Sequence, residues 1–286
     1  MPSLIDRWLA RAAAPDPGAL AAVAHLVAAV VVTGGSEGIG LEIAREFAAL
    51  DRRVVLVGRN EARLDAALTY LGVRTSKPVA IPMDVTAPGA PAALDTALAA
   101  RGLYLDVLIN CAGVGLCGPF ESHSDADIAH LIELNVTALT RLTRHALPGM
   151  KARARGGILN VASLGGYVPG PNQAAYYASK AYVCSLTEAL ASECAGSGVR
   201  ISVLAPGPVA TRFHARMGAQ TALYRWLFPD LSPQRAARAA VFHYAIGRRV
   251  IVPGLVPKAL AVIVAILPHF ITVPVIRALL APHERH

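Results

Sequence analysis

The chain is short of charge, of lysine and of cysteine. Only 16% of its 286 residues are charged, against 54% hydrophobic. That balance excludes a disordered chain, which needs high charge and little apolar matter to stay open. Lysine occurs four times (Lys77, Lys151, Lys180 and Lys258), so 23 of the 27 basic residues are arginines. They are scattered, and the net charge of +8 gathers into no basic run or nucleic-acid module. A bias toward arginine is the simpler reading, and no nucleic-acid partner is expected. A basic protein also suits an anionic cofactor. The four cysteines, Cys111, Cys117, Cys184 and Cys194, show no CxxC or Cys/His spacing. That excludes a zinc module, predicts no metal, and leaves small buried thiols in a reducing, cytoplasmic setting. Internal repeats and low-complexity tracts are absent too.

What is present is alternation. Short β-branched runs end at or span 30–32, 54–57, 79–81, 106–109, 157–161, 199–204 and 250–252. Helical patterns fill 38–50, 61–70, 91–100, 125–150 and 174–195 between them. Near-continuous apolar strands alternating with helices predict an α/β fold, a doubly wound, Rossmann-like parallel sheet in a single domain. The expected boundaries are an N-terminal extension at 1–27, the sheet domain at 28–254 and an apolar C-terminal segment at 255–286. The stretch 19–32 is apolar apart from His25. It resembles a signal core but lacks a basic leader, and a buried strand accounts for it better. The first 18 residues, with Asp6, Arg7 and Trp8, predict a short amphipathic helix ending at Pro15-Asp16-Pro17-Gly18.

Ligands in such sheets sit beyond the carboxyl ends of the strands, and the motifs fall there. Thr33-Gly34-Gly35-Ser36-Glu37-Gly38-Ile39-Gly40 joins the first strand to the first helix of the sheet domain. Its glycines permit a tight turn and a close approach, and the helix start offers free N–H groups to a pyrophosphate. The second strand ends in Val57-Gly58-Arg59-Asn60, where an acid would read the 2′-hydroxyl of NAD. Arg59 suits a 2′-phosphate instead, so NADP(H) is expected over NAD(H); the alternative is a solvated loop charge. Asp84-Val85 is placed to touch an adenine. Asn110-Cys111-Ala112-Gly113 brings backbone to the cofactor again.

Tyr176 and Lys180 stand four apart on one helix face. An ammonium beside a phenol favours the phenolate and lowers its pKa. Ser163 ends the fifth strand, where its hydroxyl either polarises a substrate carbonyl or caps a turn. Asn135 lies inside an apolar helix and needs a partner. It holds either a water chain to Lys180 or a structural hydrogen bond. Tyr177 is off this spacing and is assigned to packing.

Taken together, the Thr33–Gly40 turn, Asn110-Cys111-Ala112-Gly113, Asn135, Ser163, Tyr176-xxx-Lys180 and Pro206-Gly207-Pro208 resemble the motifs of the short-chain dehydrogenase/reductase family, in order, over about 30–254. One position departs: Cys111 stands where that family usually has Asn. The resemblance implies hydride transfer at a carbonyl or alcohol carbon, with Asn135, Ser163, Tyr176 and Lys180 catalytic. It implies cofactor contacts at Gly34, Ser36, Glu37, Gly38, Ile39 and Gly40, and at Pro206, Gly207, Val209 and Thr211. A non-catalytic dinucleotide-binding sensor on the same fold is the competing reading, and loss of one of the four residues would be its mark.

Residues 209–231, with Phe213, Met217, Leu223, Tyr224, Trp226, Leu227 and Phe228, correspond in the resembled family to a lid. They predict a lipophilic substrate, or a lid packed on its own core. The tail 255–280 is apolar but broken by Pro257, Pro268 and Pro274, which argues against a membrane span. An oligomer contact or pocket cover ranks first for it, a membrane surface second.

Overall fold

The β-branched runs pair into one sheet. In the computed structural model, which describes residues 13–72, 77–219, 223–224 and 230–281, seven strands form. They are β1 (Val27–Thr33), β2 (Arg53–Gly58), β3 (Val79–Pro82), β4 (Leu103–Asn110), β5 (Gly156–Val161), β6 (Val199–Leu204) and β7 (Val250–Ile251). Their order is β3-β2-β1-β4-β5-β6-β7, every pair parallel. The helices are α1 (Pro17–Val23), α2 (Gly38–Ala49), α3 (Glu61–Leu71), α4 (Ala90–Ala99), α5 (Asp125–Ile132), α6 (Leu139–Ala152), α7 (Ala174–Glu193), α8 (Phe213–Arg216), α9 (Pro233–Ala245), α10 (Leu255–Ile266) and α11 (His269–Leu280).

Both faces of the sheet are covered, which is why its strands read as apolar runs rather than alternating ones. Val30 and Val32 of β1 pack with Ile43, Phe47, Leu64 and Val241 on one face. Ala29 and Val31 pack with Leu94, Leu98, Leu142 and Met150 on the other. Helix starts follow local chemistry. Asn60 accepts a hydrogen bond from Arg63 N at 2.9 Å, and Ser232 from Arg235 N with Pro233 in the first turn, as caps should.

The N-terminal reading needs correcting. Residues 17–23 form a helix with no buried residue, not the early part of a buried strand. Asp16 caps it and Pro17 opens it, so Pro15-Asp16-Pro17-Gly18 begins a helix instead of ending one. An alanine-rich run has no β preference of its own, and the cap and proline decide its state. The expected helix in residues 1–12 lies outside the described residues.

Strand order reverses between β1 and β4, which opens a crevice at their carboxyl ends. There Thr33 pairs with both Asn110 and Val57. Thr33 Oγ1 accepts hydrogen bonds from Cys111 N at 3.1 Å and Ala112 N at 3.2 Å, fixing the loop after β4 against the glycine turn.

Candidate active site

The glycine turn, the loops after β4, β5 and β6, and helices α7, α10 and α11 enclose a cavity of about 1430 Å³. Two glycines are there because backbone meets backbone. A Cβ on Gly34 (φ +64°) would stand 2.8 Å from Ala112 Cα, and one on Gly40 2.5 Å from Gly34 O. No side chain caps the start of α2, and Gly38, Ile39 and Gly40 line the cavity. Its first turn therefore presents N–H donors and the positive end of a helix dipole to an anion.

The structure brings most of the predicted residues to this wall: Gly34, Ser36, Glu37, Gly38, Ile39, Gly40, Ala112, Gly113, Ser163, Tyr176, Lys180, Pro206, Gly207, Val209 and Thr211. Tyr176 and Lys180 are both buried on α7, with the ammonium 5.8 Å from the Tyr176 ring centre. Lys180 Nζ donates to Val161 O at 3.0 Å. Ser163 Oγ accepts from Gly165 N at 3.1 Å, so it caps a turn, and it also lies within reach of the Tyr176 phenol.

The electrostatics differ from the expectation. Burial pushes Tyr176 above its ordinary value, against a smaller opposing pull from Ser163. Burial pushes Lys180 down to about 8. The ammonium that was to lower the phenol is itself desolvated, and burial, not the Lys180 charge, sets the direction for both groups. Tyr176 therefore holds its proton at neutral pH.

Five predicted residues lie off the wall. Asn110 turns its side chain into the core, where Nδ2 donates to Thr143 Oγ1 at 3.1 Å and Asn160 Oδ1 at 2.9 Å. Asn160 continues to Thr187 Oγ1 at 3.0 Å. This buried ladder ties β4, β5, α6 and α7 together. Asn135 sits in a π-helical turn, Glu133–Ala138, a distortion that often re-aims a functional side chain. Its Oδ1 accepts from Val114 N at 2.9 Å, and its Nδ2 donates to Val114 O at 2.8 Å and Ser179 Oγ at 3.1 Å. It shares Gly113 as neighbour with the Lys180 ammonium: a Cβ there would lie 3.2 Å from Asn135 Oδ1 and 3.5 Å from Lys180 Nζ. Val85 is buried against the sheet. Arg59 is exposed at the strand ends, 3.8 Å from Asp84 Oδ2. Burial raises the Asp84 carboxyl, but two bonds from Thr86 and the Arg59 guanidinium outweigh it and leave the pKa lowered.

Sequence reasoning missed the cations that do line the cavity. Arg63 stands 4.0 Å from Glu37 Oε1. Arg216, 179 residues away, grips Glu37 with both terminal nitrogens, Nη2 to Oε2 at 2.7 Å. No local pattern announces such a pair. Above Tyr176 lies Phe213, ring centres 5.6 Å apart, while buried Met217 packs against Gly115. The segment after β6 thus both covers the cavity and packs on a core of its own. Trp226, Leu227 and Phe228 lie outside the described residues. Tyr177 packs on Gly165 and Gly170, as its off-face position predicts.

The model of the short chain dehydrogenase family matches residues 28–222. The chain belongs to that family. It is an oxidoreductase, and its parallel sheet is the family's fold. Among its relatives is galactitol 2-dehydrogenase (L-tagatose-forming) of Cereibacter sphaeroides, 38% identical over 210 residues, 72% of this chain and 80% of that protein. The ketoacyl reductase HetN of a Nostoc species is also 38% identical, over 181 residues and 63% of each chain. A solved short-chain dehydrogenase from Sphingobium yanoikuyae in complex with NADPH superposes with a TM-score of 0.72 at 29% identity, covering 85% of this chain and 96% of that one.

Proposed function

We propose that this dehydrogenase interconverts a carbonyl and an alcohol on a bulky lipophilic substrate, using NADP(H), with Tyr176 as the general acid/base. The observation that carries the reading is the placing of Tyr176, Lys180 and Ser163, the first two buried, along one cavity that begins at the glycine turn and ends among apolar side chains. The nicotinamide cofactor supplies or accepts the hydride. Tyr176, protonated at neutral pH, donates to the carbonyl oxygen, and Ser163 holds that oxygen with a second hydrogen bond. Lys180, ionised below about 8, steadies the phenolate left behind. Asn135, beside it across Gly113, orients the route by which the proton returns.

The substrate class follows from the walls. Leu255, Val256, Leu260, Val264, Ile276 and Leu279 line the far side. A polyol in that place would leave its hydroxyls without partners, each a desolvation loss. The chemistry named by the ketoacyl reductase relative fits these walls better than that of the galactitol enzyme.

The 2′-phosphate reading rests on Arg59, just before the Asn60 cap, together with Arg63 in the first turn of α3. The NADPH complex of the Sphingobium neighbour supports it. Replacing both with alanine is expected to weaken NADPH binding by about 10- to 100-fold, the loss of one or two charge-assisted contacts. NADH binding should change by less than about threefold on the same ground. Fluorescence titration of both cofactors checks this, and equal weakening of the two would remove the phosphate from the argument. Parallel turnover assays with a long-chain ketone and a ketose separate the substrate classes.

A further inference from the structure

Helices α10 and α11 are apolar on two faces. Leu260 and Val264 of α10 and Ile276, Leu279 and Leu280 of α11 turn toward the cavity. A surface helix normally carries polar residues opposite such a stripe. Here Val262, Ile263, Ile266, Phe270, Ile271 and Val275 point outward, with Ile266 74% and Phe270 78% exposed. The two helices are joined by Leu267 and Pro268 alone, so these exposed side chains all fall within one short helix–turn–helix segment. Apolar patches of this kind on a protein surface mark a contact.

The charge on these helices selects the occupant. Residues 255–281 contain no Asp or Glu, and their charged side chains are Lys258 and Arg277. Lys258 and Arg277 are exposed on the hairpin itself. His243 of α9 is close to its start: burial first, then Lys258 and Arg248, hold the imidazole below its ordinary value. A two-fold contact of these helices with their own copies would bring Lys258 and Arg277 of each together with no carboxylate from the helices to separate them. An anionic lipid surface offers the missing opposite charge and an apolar interior for the outward side chains. Position adds to this. Leu255 and Val256 line the cavity and are also exposed, Leu255 at 84%, so the rim of the cavity lies at the start of α10, on the hairpin. Among the described residues no helix is long and apolar enough to cross a membrane, so the contact is one of lying in the surface.

We infer that the α10–α11 hairpin docks this enzyme on the surface of an anionic bilayer, with the cavity rim facing the lipid. The inference is independent of the substrate reading, because docking is measured with no substrate present.

The test is co-sedimentation of the full chain with vesicles of phosphatidylcholine alone and of phosphatidylcholine mixed with phosphatidylglycerol. Binding is expected to favour the anionic vesicles and to weaken with salt. Ile266→Asp combined with Phe270→Asp should lower the partition constant more than about tenfold, since both side chains lose their place in the acyl boundary. These residues pack against nothing in the cavity, so the thermal transition should stay put. Lys258→Gln and Arg277→Gln, which leave the apolar face intact, should each cost about fivefold on anionic vesicles and little on neutral ones. Failure to bind either vesicle overturns the inference, as does binding that the aspartate pair leaves unchanged. A discrete dimer that the aspartate pair dissociates, with no vesicle binding, also overturns it and assigns the face to a second copy.

Discussion

Tyr176→Phe is expected to lower kcat by about 10³-fold or more while leaving the cofactor dissociation constant within about twofold, the effect of removing a positioned general acid. The substitution takes away one oxygen. The ring keeps its contacts with Phe213 and Tyr177, and the cavity keeps its shape. Loss of turnover without loss of binding therefore isolates proton transfer. Steady-state kinetics beside a fluorescence titration of NADPH decide it. A Phe variant with more than about a tenth of the parent's kcat would show that the proton travels another way, since a positioned acid is worth far more than tenfold.

Lys180→Met is expected to do two opposite things. Turnover should fall at least about 100-fold, because the charge that steadies the Tyr176 phenolate is gone. Stability at pH 7 should rise by about 2 kcal/mol. The reason is that burial lowers the ammonium from 10.5 to about 8. The unfolded chain thus holds this proton more tightly than the folded one. The resulting penalty is complete below about pH 8 and is relieved as pH rises toward 10.5. The bond to Val161 O returns part of it, which keeps the net gain below the full shift of about 3 kcal/mol. Urea unfolding of both proteins across this range checks the sign: the gap should close as pH rises. A less stable Met variant, or a gap that does not change with pH, would contradict the assignment.

These two residues were legible in the sequence because their chemistry is local. A Tyr and a Lys four apart on a helix share a face wherever that helix goes. The strands were legible for a similar reason, since Val30–Val32 and Val54–Val57 need cover on both faces. What stayed hidden was whatever depended on partners far along the chain. At Asn110 the sequence speaks only for backbone at the cofactor, and the inward side-chain bonds reach Thr143 and Asn160, 33 and 50 residues away. The phenol pKa hung on burial, which the spacing does not report. Glu37 meets Arg216 only because the loop after β6 folds over the glycine turn. Residues 19–23 misled through composition, alanine being apolar without being strand-forming.

The outer helices carry a consequence for how this protein can change over generations. The sheet and its two flanking cores draw nothing from α10 or α11, and of those helices only Thr272 and Leu280 are buried. Yet the same pair supplies much of the far wall of the cavity. A substitution at Leu260, Val264 or Ile276 therefore alters what the cavity accepts while the parts that fold the chain and carry Tyr176 stay as they were. Selection can act on substrate preference there almost separately from selection on the fold, and lineages of this enzyme should diverge first in the hairpin and last in β1, β4 and α7.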